Sequence, residues 1–170
     1  MTRSRHTCAF ALPSLIAGLL VSAAAAAGEL RVDKVLVKKS SRTMYLIANN
    51  TVVRRFHIAL GAHPVGDKRE RGDERTPEGH YTLDFKNSDS EFYKSIHISY
   101  PGRADAELAK IDGVDPGDGI SIHGQKNGYG QYAAWNQKFD WTQGCIAVSD
   151  KDMDVIWRLV PVGTPIEIDP

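Results

Sequence analysis

The sequence predicts a mainly β domain, a sandwich or barrel-like fold of short strands with one or two helices. Two observations predict it. Short β-branched and apolar runs recur along the chain with a period of two, separated by glycine, proline and asparagine turns. One stretch near the end carries a capped helical pattern, and no repeat or low-complexity tract follows residue 28.

Taken in order, residues 32–37 and 44–48 read as strands separated by the polar segment 38–43. Asn49 and Asn50 both tolerate positive φ, which predicts a tight hairpin turn. The returning strand, residues 52–60, sets Phe56, Ile58 and Leu60 against Arg55, His57 and Ala59. That alternation puts His57 on the solvent face, as a surface histidine rather than a ligand. The segment 61–77 holds Lys68, Arg69, Arg71 and Arg75 among Asp67, Glu70, Asp73 and Glu74. Its mixed signs predict a solvated loop. Tyr81, Leu83 and Phe85 alternate as a strand, and Ile96, Ile98 and Tyr100 as another, ended by Pro101 and Gly102. Residues 104–111 suit a short helix, 114–119 a turn, and 120–123 a strand. Ser149 and Asp152 form a capping pair for a helix with Met153, Ile156, Trp157 and Val160 on one face. Pro161 and Gly163 stop it before a last strand at 165–168.

The first residues predict export. Arg3 and Arg5 stand without an acid before an apolar run at 8–21 and an alanine-rich end at 22–28, the layout of a secretory signal peptide. The apolar run is shorter than the roughly 20 residues that a membrane-spanning helix needs. Cleavage near Ala27 would leave residues 28–170 as one domain in the periplasm or cell envelope. Of 21 basic residues, losing Arg3 and Arg5 leaves 19 against 21 acidic. That balance argues against nucleic acid, whose binding rests on clustered Lys and Arg.

Cys8 leaves with the leader, so Cys145 is the single cysteine of the mature chain. An unpaired thiol in an oxidising compartment needs a reason. Two segments supply one: His123-Gly124 at a strand end, and Thr142-Gln143-Gly144-Cys145 before the capped helix. The thiolate is the nucleophile, and a histidine within reach can take its proton. Gly144 permits a sharp turn that would aim its own N–H and that of Cys145 at one spot as an oxyanion hole. Cys145 is therefore the expected nucleophile, His123 the general base and acid, and Gly144 an oxyanion-hole amide.

These residues resemble the L,D-transpeptidase (YkuD-like) catalytic domain, whose pattern is His-Gly followed by Ser/Thr-x-Gly-Cys. Gly61, Arg75-Thr76-Pro77-Glu78-Gly79 and Ile98-Ser99-Tyr100-Pro101 extend the resemblance over most of the mature chain. It implies a YkuD-like β-sandwich of mixed sheets and a Gly124 carbonyl that orients His123. It further implies a thioester at Cys145 formed on a peptidoglycan stem peptide. The acyl group would pass to an amine, as a cross-link or a lipoprotein attachment, or to water. No cofactor and no metal is implied. One position departs: the family commonly has arginine two residues after the cysteine, where this chain has Ala147. An arginine there can hold a carboxylate. Its absence resembles a divergent branch that includes carboxypeptidase- or amidase-like hydrolases. The charged loop from Lys68 to Arg75 is an alternative source of the cation.

Other readings fit less well. Sortases need an arginine after the cysteine, and papain-like peptidases place the cysteine before the histidine. A zinc site assembled from His80, His97, His123 and Cys145 lacks a short-spaced ligand pair. A non-catalytic wall-binding module would not need His123 and Cys145 together. Between the motifs, Tyr129, Tyr132, Trp135, Phe139 and Trp141 would form either a lid over a substrate or the packing of a long loop, with Asp140 a candidate anchor.

Overall fold

The structure is a computed structural model that describes Met1 and residues 30–170. Apart from Met1, the expected leader at residues 1–27, including Cys8, lies outside the described residues.

Three strands open the fold: β1 (Lys34–Lys38), β2 (Thr43–Ala48) and β3 (Thr51–His57). Val35, Val37, Met44 and Leu46 are fully buried at alternate positions, as a one-sided sheet requires. Asn49 and Asn50 turn the hairpin at φ 50° and 59°, the two positive values of a type I′ turn. Next come β4 (Gly79–Ser90), β5 (Tyr93–Ile98), α1 (Arg103–Asp112) and β6 (Ser121–His123). A 3₁₀ turn at Gly130–Tyr132 leads to the short α2 (Ala133–Asn136). β7 (Ile146–Ala147), α3 (Asp150–Leu159) and β8 (Thr164–Asp169) complete the chain.

The eight strands form one sheet in the order β3-β2-β1-β8-β4-β5-β6-β7. It is mixed, with β1/β8 and β6/β7 parallel and the other neighbours antiparallel. The last strand lies in the middle, between β1 and β4. The sheet's two ends also meet. Ala59, just past β3, exchanges both backbone hydrogen bonds with Ala147 of β7 at 2.9 and 2.8 Å. Thr142 N–H reaches the Leu60 carbonyl at 3.1 Å, and Ala62 N–H reaches the Thr142 carbonyl at 3.0 Å. Curling drawn tight in this way gives the mainly β, sandwich- or barrel-like form that the strand pattern predicts.

Helix α3 starts as its cap predicts, with the Asp152 amide donating to Ser149 Oγ at 3.1 Å. It buries Met153 and Ile156 against the sheet, each contributing about 1.5–3 kcal/mol by leaving water.

Three expectations change. Ala59, placed on the solvent face by alternation, is buried because its backbone joins β7. Phe85, expected on the inner face with Leu83, is 61% exposed because an irregularity between them shifts the register. The loop 61–77 is not simply solvated, since it buries Lys68 and Thr76. His57 is exposed as expected, its Nε2 donating to the Gln137 carbonyl at 2.8 Å.

Candidate active site

The turn that carries Cys145 is built around Thr142. Its hydroxyl donates to the Cys145 carbonyl at 2.7 Å and accepts the Gly144 amide at 3.1 Å. Gly144 sits at φ +126°, and a Cβ there would stand 2.7 Å from the Arg75 carbonyl and 3.0 Å from Ile120 Cδ1. No side chain fits. A Cβ on Gly61 would fall 2.1 Å from the Glu74 carbonyl, so the loop 61–77 lies backbone to backbone against the cysteine turn. The Gly61 amide donates to Thr76 Oγ1 at 3.0 Å, which ties the Arg75-Thr76-Pro77 segment into the same assembly.

His123 ends β6 and is 5% exposed, in contact with the rings of Phe92 and Trp141 at centroid distances of 4.7 and 5.8 Å. Its Nδ1 lies 2.7 Å from the Gly124 carbonyl. A carbonyl can only accept, so Nδ1 carries a proton and, in the neutral ring, Nε2 carries the lone pair. Burial pushes the imidazole below its ordinary pKa, and the Gly124 carbonyl opposes that in part. Gly124 is itself pinned: its amide is shared by the Phe92 and Lys94 carbonyls at 3.1 and 3.2 Å. The next residue, Gln125, is fully buried and donates to the Val148 carbonyl at 2.7 Å, while Asn136 of α2 donates to its Oε1 at 2.9 Å.

Cys145 is half-buried, and its Sγ lies 3.7 Å from the Gly119 carbonyl. Burial raises the thiol pKa, opposed by the Ser121 backbone and by the positive charge of Lys68. No hydrogen bond joins His123 to Cys145 among the described residues, but both side chains line one cavity of about 530 Å³. Ser95, Ser121, Lys126, Phe92 and Trp141 line it too. A second cavity of about 380 Å³, walled by Lys68, Arg71, Glu74 and Asp118, shares Gly119, Gln143 and Cys145 with the first. The thiol therefore stands where an aromatic-walled space meets a charged one.

The Gly144 amide is not free for an oxyanion, because the Thr142 hydroxyl occupies it. Among the described residues the Cys145 amide makes no such bond. Asp140 anchors the aromatic loop as expected: it takes Arg42 through Nε and Nη2, and the Leu60 amide at 3.0 Å. Trp141 faces the His123 cavity, whereas Tyr129, Tyr132, Trp135 and Phe139 are each more than half exposed and pack in pairs, Tyr129 with Tyr132 and Trp135 with Phe139, outside the core. His97 pairs with Asp84 at 2.7 Å, and His80 is exposed on β4. Among the described residues no three His, Cys, Asp or Glu side chains are grouped to hold a metal. Sequence reading named Lys68 only as part of its charged loop and Thr142 only as part of the motif, and the contacts of each come from the way its own turn folds.

Comparison with known proteins adds a family. The model of the YkuD family, the L,D-transpeptidase catalytic domain, matches residues 33–168. The protein YafK of Escherichia coli (strain K12) is 35% identical over 87 residues, covering 50% of this chain and 33% of YafK. The helical cell shape determining protein Pgp2 of Campylobacter jejuni shares the fold at TM-score 0.58 and 24% identity, over 81% of this chain and 47% of Pgp2. An L,D-transpeptidase from Mycobacterium smegmatis does so at TM-score 0.52 and 16% identity, over 81% of this chain and 58% of its own. The chain thus spans about a third of YafK and about half of the solved relatives.

Proposed function

The chain belongs to the YkuD family of L,D-transpeptidase catalytic domains, and from that premise we propose that it is an exported cysteine acyltransferase acting on peptidoglycan stem peptides. One observation carries the reading: His123, its Nδ1 held by Gly124, shares a cavity with the thiol of Cys145.

With the imidazole pushed down and the thiol pushed up, the resting pair is neutral. The thiol leaves the Gly119 carbonyl as substrate enters, and His123 Nε2 takes its proton while Sγ attacks the acyl carbonyl. The Cys145 amide, rather than that of Gly144, meets the developing oxyanion. His123 then returns the proton to the departing amine of D-alanine, leaving a thioester on Cys145. A second amine, or water, gives up a proton to His123 and releases the acyl group.

Ala147 raises hydrolysis as a second reading. It is fully buried and bonded on both sides to Ala59, so the position that commonly holds arginine in the family offers no cation here. Incubating the mature protein with a tetrapeptide-bearing wall fragment and weighing the products separates the outcomes. Cross-linked dimer means transfer, and tripeptide with free D-alanine means hydrolysis. Cys145→Ser should abolish both while leaving the fold intact, and wild-type turnover in that variant would overturn the thiol mechanism.

A further inference from the structure

We propose that Lys68 is a carboxylate-binding residue of the Cys145 site, replacing the missing arginine at Ala147. Lys68 is only 4% exposed, an unusual position for a lysine. Its Nζ donates to Asp73 Oδ1 at 2.8 Å and to the Glu70 carbonyl at 3.0 Å, and stands 6.0 Å from the centre of the Tyr100 ring. An ammonium has three protons, and among the described residues the third has no acceptor. The same side chain walls the cavity that Cys145 shares.

The other cations of the loop do not meet these conditions. Arg71 lines the cavity, but its guanidinium is engaged by Asp115 and Asp118 at the exposed rim. Arg75 donates to the Asp67 carbonyl, and Arg69 pairs with Asp67, both away from the cavity walls. Lys68 is also pre-positioned. Asp73, its partner, accepts the amides of Arg69, Glu70 and Arg75, so the ion pair is fixed to the loop backbone and cannot swing away. A buried ammonium with a spare N–H offers one strong, charge-assisted bond to an anion. The class of ligand is an acyl substrate with a free carboxylate within reach of the attacked carbonyl, a group that peptidoglycan stems carry. The assignment rests on Cys145 as the nucleophile.

Two alkylating probes of nearly equal size test it, iodoacetate and the neutral iodoacetamide. The ratio of their rates at Cys145, located by peptide mapping, should be about tenfold higher in the folded protein than in the urea-unfolded chain. Lys68→Met should return the ratio to the unfolded value, with the iodoacetamide rate little changed. Lys68→Arg should keep most of it, and Arg69→Gln all of it. If Lys68→Met does not fold, Lys68→Met with Asp73→Asn removes both halves of the ion pair and is measured instead. An unchanged ratio, or an equal fall for both probes, overturns the assignment. If the wild type keeps the ratio yet turns over no stem peptide, the peptidoglycan reading fails and the carboxylate site stands.

Discussion

Replacing Thr142 by valine keeps the shape of the side chain and deletes one hydroxyl. That hydroxyl accepts the Gly144 amide at 3.1 Å and donates to the Cys145 carbonyl at 2.7 Å, so two backbone groups lose their partner at once. Thr142 is 5% exposed, and the Gly144 amide is buried with it, so water does not replace the first bond. An orphaned buried donor costs about 1–3 kcal/mol, and losing the second, half-buried bond about 0.5–1.5 kcal/mol more. The expected loss is therefore about 1.5–4.5 kcal/mol in the free energy of unfolding. Urea denaturation of wild type, Thr142→Val and Thr142→Ser measures it, read from the midpoint at constant m. Serine keeps the hydroxyl and should recover most of the loss. A valine variant within about 0.5 kcal/mol of wild type, the range of a neutral surface change, would refute the claim that this hydroxyl holds the turn. So would a serine variant no better than valine.

Two more expectations concern the same turn and its partner histidine. Since burial lowers the pKa of His123 and raises that of Cys145, kcat/KM should be flat across neutrality, with its acidic limb below about pH 6.5, the ordinary histidine value; an acidic limb above that value would contradict a buried neutral base. The sign for stability follows. The unfolded chain binds the histidine proton more readily than the folded one, so the His123 contribution is lost as pH falls through the unfolded pKa towards the lower folded one. Gly144→Ala should cost at least about 1–3 kcal/mol through positive φ alone, with a further clash against the Arg75 carbonyl 2.7 Å away, and a variant of wild-type stability and activity would remove the close approach from the account.

Much of this arrangement could be read in the residues. Alternation placed Phe56, Ile58 and Leu60 inside and His57 outside, because period two depends only on local backbone geometry. His123-Gly124 and Gly144-Cys145 stood out because glycine beside a reactive side chain marks a backbone under tight constraint. What escaped depends on contacts between distant segments. Ala59 is buried because β7, far along the chain, comes back to pair with it. Lys68 sits among charges of both signs, a pattern that ordinarily means solvent, and its burial is made tolerable by the Glu70 carbonyl and by Asp73, itself held by three backbone amides. The bond on the Gly144 amide escaped as well: the glycine was visible, but not the rotamer of Thr142 that engages its N–H.

The place of β8 bears on when the molecule becomes reactive. The strands β1–β3 and β4–β5 form separate antiparallel groups, and β8 is the strand that pairs with both. The other join, Ala59 with Ala147, also waits for residues late in the chain. The sheet therefore stays in two antiparallel groups until β8 is in place, and the long loops that must close to join them make folding slow. Until then the short β6/β7 pairing that links the His123 strand to the Cys145 turn lacks the rest of the sheet behind it. A chain in which β8 has not yet docked carries an ordinary thiol, and the cavity shared by His123 and Cys145 follows the joining of the sheet rather than preceding it.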